Sequence, residues 1–184
     1  MIKYLENTLK ITDSLHGLFY DKLRYKFSLN FTDGDKLGMF ASHFITKNEP
    51  SRDSFRDFPV NVEEDRQKMV SLWYGILKKM DMPEPDFVNR LCININYHRD
   101  VDVNIHRDFH WEEKNCYSMI TYLTNNPELY TIVWDEEGKE HKFEAKAGAT
   151  LVFSNLKHTF ILPKTGIRAA LVGTFRYGSK YKNT

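Results

Sequence analysis

The feature that most constrains the fold is a change in hydrophobic pattern near residues 82–85, Met-Pro-Glu-Pro. From Phe87 onward, short apolar runs rich in Ile, Val, Tyr, Phe and Thr alternate with turn residues, a pattern typical of β-strands. Eight short strands at close spacing favour a double-sheet jelly roll, also called a double-stranded β-helix. The predicted strands are 88–97, 101–105, 117–124, 130–134, 141–145, 150–153, 159–162 and 168–177.

The first half of the chain has a different pattern, which predicts helices. In residues 62–80 apolar side chains recur at helical spacing with charges between them; they are Met69, Leu72, Trp73, Ile76 and Leu77. A shorter helix is predicted at 15–25 and a polar loop at 46–57. The expected fold is α+β, mainly β, with N-terminal helices packed on one sheet. We expect one domain over residues 1–184, with mainly helical support in 1–86 and the jelly-roll core in 87–178.

Charge and cysteine content exclude several classes of protein. The 26 Lys and Arg residues nearly cancel the 25 Asp and Glu residues, so no global field attracts nucleic acid or a membrane surface. The two cysteines, Cys92 and Cys116, do not make a disulfide framework. The N-terminal residues lack the apolar run of a signal peptide, and no stretch has the length of a membrane span. We therefore expect a cytoplasmic protein without nucleic-acid or membrane partners.

A candidate metal site begins with the segment Asn-Ile-His-Arg-Asp, in which His106 and Asp108 are two residues apart. In an extended chain both side chains lie on the same face and can share one metal ion. Two histidines and one carboxylate form the ligand set that non-heme iron oxygenases use. His158, which follows a buried strand and a short polar turn, is well placed to be the second histidine.

Ten residues after His158, Arg168 opens an otherwise apolar strand. A buried guanidinium needs a partner, and a carboxylate bound through two parallel hydrogen bonds matches its geometry. The 5-carboxylate of 2-oxoglutarate would be such a partner.

The order of these motifs, over residues 90–177, resembles the 2-oxoglutarate/iron(II)-dependent oxygenase superfamily and within it the prolyl-hydroxylase-like branch. The resemblance implies iron ligation by His106, Asp108 and His158, and anchoring of the 2-oxoglutarate co-substrate by Arg168. It further implies a dioxygenase that hydroxylates a C–H bond with release of succinate and carbon dioxide, and ascorbate is a further candidate cofactor. Substrates of this branch lead us to expect an amino-acid side chain, either in a peptide or protein, which is slightly favoured, or in a free amino acid.

The same resemblance suggests further pocket residues. The segment Thr-Tyr-Leu-Thr-Asn at 121–125 is similar to a family strand whose tyrosine helps to hold the distal carboxylate, so Tyr122 is its counterpart. Tyr97 matches a second pocket tyrosine, and Asn94 and Asn96 are possible polar contacts beside it. Tyr122 could equally be a core tyrosine with a satisfied hydroxyl group.

Several residues near the motifs allow other interpretations. Residues 98–100, His-Arg-Asp, have the same spacing as the preferred pair and are expected to form an exposed turn. His110 is in register with the preferred pair and could line the pocket or replace a ligand. Trp111, Trp134 and Arg176 could face the substrate, although packing is the favoured role for each.

Two other functions compete with the oxygenase. One is a non-catalytic jelly-roll or cupin module that binds a sugar or metabolite, and the other is a cupin-type metal dioxygenase that does not use 2-oxoglutarate. Arg168 together with the complete triad favours the 2-oxoglutarate enzyme, because neither alternative requires a buried arginine there. A nucleic-acid demethylase of the same superfamily is disfavoured. Such enzymes usually carry a basic groove and a second arginine close behind the first, whereas here the next arginine after Arg168 is Arg176 and the net charge is only +1.

Overall fold

The computed structural model describes residues 1–23, 25–30, 37–46, 61–97 and 103–178. Within these ranges the protein is mostly β, with few helices. The helical elements are α1 (Asp13–Gly17), a π-helical turn (Leu18–Lys22) and α2 (Glu63–Lys79). The strands are β1 (Ile2–Leu5), β2 (Lys26–Asn30), β3 (Leu37–Thr46), β4 (Phe87–Tyr97), β5 (Cys116–Tyr122), β6 (Asn126–Trp134), β7 (Glu140–Ala145), β8 (Thr150–Ser154), β9 (His158–Phe160) and β10 (Ile167–Arg176).

The strands form two antiparallel sheets. The large sheet has seven strands in the order β1-β8-β5-β10-β4-β3-β2, and the small sheet has three in the order β7-β6-β9. Strand β10 is central in the large sheet, where it pairs with β4 on one side and β5 on the other. Every named pairing is antiparallel, and sequence-distant strands lie side by side. This arrangement brings the two ends of the second half of the chain into one sheet.

Helix α2 covers the outer face of the large sheet. Acidic residues occupy its first turn and Lys78 and Lys79 its last, an arrangement that complements the helix dipole. Its buried side chains, Met69, Trp73, Ile76 and Leu77, follow the helical period and join one hydrophobic cluster with residues of the sheet. The predicted apolar stripe is confirmed, except that Leu72 is only partly buried.

A second hydrophobic cluster fills the space between the two sheets. Ile120 and Val172 of the large sheet contribute to it, as do Leu129 and Val133 of the small sheet. Because successive residues of a strand face opposite sides, each strand of the large sheet supplies one set of side chains to each cluster. The inner set of the large sheet is the one that can line a pocket between the sheets.

The strand predictions for the second half of the chain are largely confirmed. β4 to β8 and β10 match predicted strands within a few residues, and β9 covers the start of the predicted 159–162 strand. The predicted 101–105 strand does not form at 103–105, and residues 101–102 lie outside the described ranges. At the end of this segment, His106 makes an isolated antiparallel bridge to His158.

The expectation of a mainly helical first half needs correction, since β1, β2 and β3 all precede residue 47. The predicted 15–25 helix is instead the short α1 followed by the π-helical turn. β1 and β3 add to the large sheet by pairing with β8 and β4, contacts that a local pattern does not reveal. The predicted loop at 46–57 lies outside the described residues except for Thr46, the last residue of β3. No helix in the described ranges has both the length and the apolar character that crossing a membrane requires.

Gly148 lies where the N-terminal segment meets the turn before β8, and its replacement by alanine is expected to destabilise the fold. Its φ is +83°, and a Cβ there would stand 2.1 Å from the carbonyl oxygen of Leu9. The left-handed backbone costs a non-glycine residue about 1–2 kcal/mol, and the backbone clash adds to this. We expect Gly148→Ala to lower the free energy of unfolding by more than about 2 kcal/mol in urea denaturation.

Gly138 provides the matched control for this prediction. It has a similar φ of +82°, but no atom lies within 4 Å of a Cβ built there. Gly138→Ala therefore carries the backbone cost without the clash. Equal losses in the two variants would show that the contact with Leu9 does not constrain this turn.

Candidate metal centre

His106, Asp108 and His158 come together at one end of the space between the sheets. Their candidate ligand atoms all lie within 4.8 Å of one another, and among the described residues they form a group that could hold a metal ion. His158 begins β9, whereas His106 and Asp108 lie in the segment that follows β4. The two histidines exchange backbone hydrogen bonds, since the N–H of each donates to the carbonyl of the other at 2.9 Å. The backbone thus brings two residues far apart in sequence into one site.

Hydrogen bonds to the backbone orient both imidazole rings. Nδ1 of His106 lies 2.9 Å from the carbonyl oxygen of Asn104, and Nδ1 of His158 lies 3.1 Å from that of Leu156. A carbonyl oxygen only accepts, so each Nδ1 carries the hydrogen and each Nε2 keeps its lone pair. Nε2 is then the atom that each ring can offer to a metal ion. The ring centroids are 4.4 Å apart.

The carboxylate of Asp108 is ionised and held in place by its surroundings. Ser118 Oγ donates a hydrogen bond to Oδ2, which lies 3.6 Å from His158 Nε2. Burial alone would raise the pKa of Asp108, but the nearby His158 and Arg90, followed by the Ser118 hydrogen bond, lower it to about 2. Burial lowers the pKa of His158, although Asp108 opposes this shift. One carboxylate together with two imidazole Nε2 atoms is a donor set that a divalent transition metal prefers.

Arg168 lies further into the space between the sheets, as the first inward-facing residue of β10. Its side chain is almost fully buried, and Nε has no hydrogen-bond partner among the described residues. The guanidinium carbon stands 4.2 Å from the centroid of the Phe160 ring. Phe160 is two residues after His158 on β9, which is about 7 Å along a strand, and both side chains lie on the same face. Burial lowers the pKa of Arg168, against the influence of Tyr122.

Asn96 is the residue directly opposite Arg168 on β4. Its exposed fraction is 1%, and both its Nδ2 and its Oδ1 lack a hydrogen-bond partner among the described residues. An unsatisfied buried amide costs free energy, so a native structure that keeps one calls for an explanation. Arg168 and Asn96 together present unused polar groups to the same small region of the pocket.

The tyrosines predicted for the pocket are placed differently from each other. Tyr122 is fully buried beside Arg168, with the guanidinium carbon 5.9 Å from its ring centroid. Its hydroxyl donates to Thr131 Oγ1 at 2.7 Å, and burial raises its pKa to about 12. Tyr97 pairs with Ile167, so the alternation of the strand places it on the face opposite Arg168. The structure therefore brings Asn96, and not Tyr97, next to the arginine.

The remaining candidates lie outside the group of three. His110 is exposed, and Trp111 is 71% exposed, so the packing role expected for Trp111 is wrong. Arg176 is buried and donates to Glu113 Oε2 at 2.9 Å, which agrees with a structural role. Residues 98–100, the second His-Arg-Asp segment, lie outside the described residues.

Sequence analysis missed two residues that contact Asp108. They are Ser118, which donates to it, and Arg90, whose Nη2 is 3.7 Å from Oδ1. A signal was present in β4, where polar side chains alternate with apolar ones. The polar set is Arg90, Cys92, Asn94 and Asn96, and the apolar set is Leu91, Ile93 and Ile95. The apolar set packs under the helices, which leaves the polar set on the pocket face.

The chain was compared with family models, curated proteins and solved structures, and only solved structures match it. No protein-family model matches the chain, and no curated protein matches it. Solved structures do match. An oxidoreductase of the 2OG-Fe(II) oxygenase family from Burkholderia pseudomallei is 15% identical with a TM-score of 0.69, covering 89% of this chain and 78% of that one.

Two prolyl hydroxylases give similar matches. The enzyme from Pseudomonas putida, a prolyl-4-hydroxylase, is 17% identical with a TM-score of 0.55 over 97% of this chain and 93% of its own. A prolyl hydroxylase from Trichoplax adhaerens, solved with a hypoxia-inducible-factor peptide, is 11% identical with a TM-score of 0.62 over 95% and 83%. The protein therefore has the fold of the 2-oxoglutarate/iron(II) oxygenases. Prolyl hydroxylases are among the proteins that share this fold.

Proposed function

We propose that this protein is a 2-oxoglutarate- and iron(II)-dependent dioxygenase that hydroxylates a C–H bond. In this proposal the two sheets are a jelly-roll core, and residues 1–184 act as one catalytic domain. His106, Asp108 and His158 would hold iron(II), and Arg168 would hold the far carboxylate of 2-oxoglutarate. The fold that the chain shares with a 2OG-Fe(II) oxygenase supports the enzyme class. The close approach of the two histidines and the aspartate supports the binding of a metal ion.

The observation that carries the proposal is the unsatisfied pair of Arg168 and Asn96. A buried guanidinium whose Nε lacks an acceptor is costly, and a dicarboxylate that reaches from the metal to this point would supply the acceptor. Both alternatives, a binding module and a cupin-type dioxygenase without 2-oxoglutarate, leave these groups without a purpose. The guanidinium packs on Phe160, which is two residues or about 7 Å along β9 from His158, and a five-carbon diacid has a comparable length.

The chain's own residues have defined tasks in this reaction. Iron(II) and 2-oxoglutarate, when bound, supply the activation of dioxygen. Nδ1 of each histidine stays bonded to a backbone carbonyl, so neither ring can rotate away from the metal. Ser118 keeps the Asp108 carboxylate turned toward His158. Phe153 packs against the His158 ring at a centroid distance of 4.7 Å and excludes water from that side.

For the substrate we propose an amino-acid side chain, with a peptide or protein slightly favoured over a free amino acid. The fold is shared with a prolyl-4-hydroxylase and with a prolyl hydroxylase that was solved with a peptide. The exposed aromatic side chain of Trp111, next to the metal-binding segment, is suited to packing against a substrate chain.

The experiment that tests the function is an assay of succinate formation. With iron(II), 2-oxoglutarate and ascorbate, we expect slow succinate release alone and faster release with the true substrate. The product should gain sixteen mass units, the mass of one oxygen atom, by mass spectrometry. A panel of proline-containing peptides, other peptides, free amino acids, nucleobases and lipids identifies the class. Stimulation by a nucleobase or lipid alone would contradict the amino-acid substrate, while failure to bind 2-oxoglutarate at all would contradict the enzyme class.

A further inference from the structure

Arg90 is a second arginine on the pocket side of the large sheet. It lies on β4 opposite Thr174, next to the metal-binding group, while Arg168 lies at the other end of the same pocket face. Its Nε is buried and has no hydrogen-bond partner among the described residues. Its contact with Asp108, 3.7 Å from Nη2 to Oδ1, is longer than a hydrogen bond. The Nε–H donor of Arg90 therefore lies buried beside the metal-binding group without an acceptor among the described residues.

A purely structural partner of Asp108 would have a different geometry. Arginine holds a carboxylate through short hydrogen bonds of about 2.7–2.9 Å, often two at once. Arg176, on the same sheet, illustrates the structural case, since it donates to Glu113 Oε2 at 2.9 Å and to Asn89 Oδ1 at 3.2 Å. Asp108 already receives its short hydrogen bond from Ser118. The Nε donor of Arg90 is thus available to another group at the metal, and its Nη2 contact with Asp108 is too long to be a hydrogen bond.

The charges of the loaded site indicate what that group is. This step rests on the proposed function. The formal charges of iron(II), Asp108, Arg168 and the 2-oxoglutarate dianion cancel, so Arg90 adds an excess positive charge in a largely enclosed place. Such a charge favours a further anion close to it. A guanidinium fork matches the planar geometry of a carboxylate.

We propose that Arg90 binds a carboxylate beside the metal and that this carboxylate belongs to the primary substrate. The substrate is then an amino acid or peptide whose acidic group lies near the C–H bond that reacts. The 1-carboxylate of 2-oxoglutarate is the alternative carboxylate that Arg90 could bind, and the experiment distinguishes it from a substrate carboxylate. Because Arg90 faces the metal from β4 and Arg168 lies further inside, their substitutions should have different effects.

The test compares wild type, Arg90→Met and Arg90→Lys with Arg176→Met as the matched control, because Arg176 already has an acceptor. Iron-loaded protein is titrated anaerobically with 2-oxoglutarate and with pyruvate, which keeps the 1-carboxylate but lacks the 5-carboxylate. The readout is the weak visible absorption band of a chelated 2-oxo acid. Acetate is then added to protein saturated with 2-oxoglutarate, with sodium chloride at equal ionic strength as the control, and the shift of the band is recorded.

We expect Arg90→Met to bind 2-oxoglutarate and pyruvate as wild type does, but to lose the acetate-induced shift by at least about tenfold in affinity. Lysine should retain part of it, and Arg176→Met should behave as wild type. If Arg90→Met weakens pyruvate and 2-oxoglutarate equally, a carboxylate is bound but is the co-substrate's own. The inference is overturned if acetate gives no shift in wild type, if Arg90→Met changes nothing, or if it loses iron. Absence of any band in wild type would instead contradict the proposed function.

Discussion

Alanine at His106 or Asp108 is expected to abolish iron(II) binding, with the largest effect of any single substitution in the protein. Each side chain supplies one of three ligands, and removal of a ligand leaves an incomplete coordination shell. Anaerobic addition of iron(II) and 2-oxoglutarate should give the visible band in wild type and none in either variant. His158→Ala should have the same result. Circular dichroism should remain that of wild type, since the backbone bridge between His106 and His158 does not require the side chains.

Asp100→Ala is the matched control, because residues 98–100 repeat the His-Arg-Asp sequence of the chosen site. This variant should bind iron(II) as wild type does. If it alone loses the metal, the ligand pair belongs to the earlier segment and the assignment of His106 and Asp108 is wrong.

The second large effect is expected at Arg168, where alanine should raise the dissociation constant for 2-oxoglutarate about 100-fold. Loss of a buried ion pair costs several kcal/mol, and about 3 kcal/mol corresponds to this factor. Arg168→Lys should recover part of the affinity, because lysine keeps the charge without the fork. Anaerobic titration of the visible band measures the constant. An unchanged dependence on 2-oxoglutarate would mean that the guanidinium serves the fold.

Asn96 allows a test of the same carboxylate site that separates binding from folding. Asn96→Leu should weaken 2-oxoglutarate about tenfold and leave pyruvate unaffected, while the unfolding free energy of the metal-free protein does not fall. The apolar side chain removes two buried atoms that have no partner among the described residues. Asn94→Ala is the control, since the Asn94 amide oxygen already accepts from Cys92 Sγ at 3.3 Å.

The strands of the second half could be predicted because alternation and turn residues are local signals. The strands of the first half could not be predicted, because β1 and β3 are extended as a result of their pairing with the distant strands β8 and β4. The burial pattern of β1, for example, shows no alternation between inward and outward residues. Helix α2 was predictable because its apolar stripe and its charged ends agree with each other.

The candidate site shows the same division between local and long-range information. The spacing of His106 and Asp108 indicates a shared face, but their approach to His158 depends on a backbone bridge between distant segments. The choice between Tyr97 and Asn96 depends on strand register, where a shift of one residue reverses the face. The contribution of Ser118 likewise depends on a contact between β5 and the segment that carries Asp108, which no local pattern specifies.

The bridge between His106 and His158 also has a thermodynamic consequence. Since folding itself brings both imidazoles together, an arriving ion does not have to order the segment that carries them. The loss of conformational entropy that assembles the site occurs on folding and not on ion binding, which favours tight binding. By linkage, an ion that binds only the folded arrangement stabilises it, and with it the His106–His158 bridge at the start of β9, which is only three residues long. Metal binding should therefore protect the amide hydrogens of this bridge from exchange with solvent.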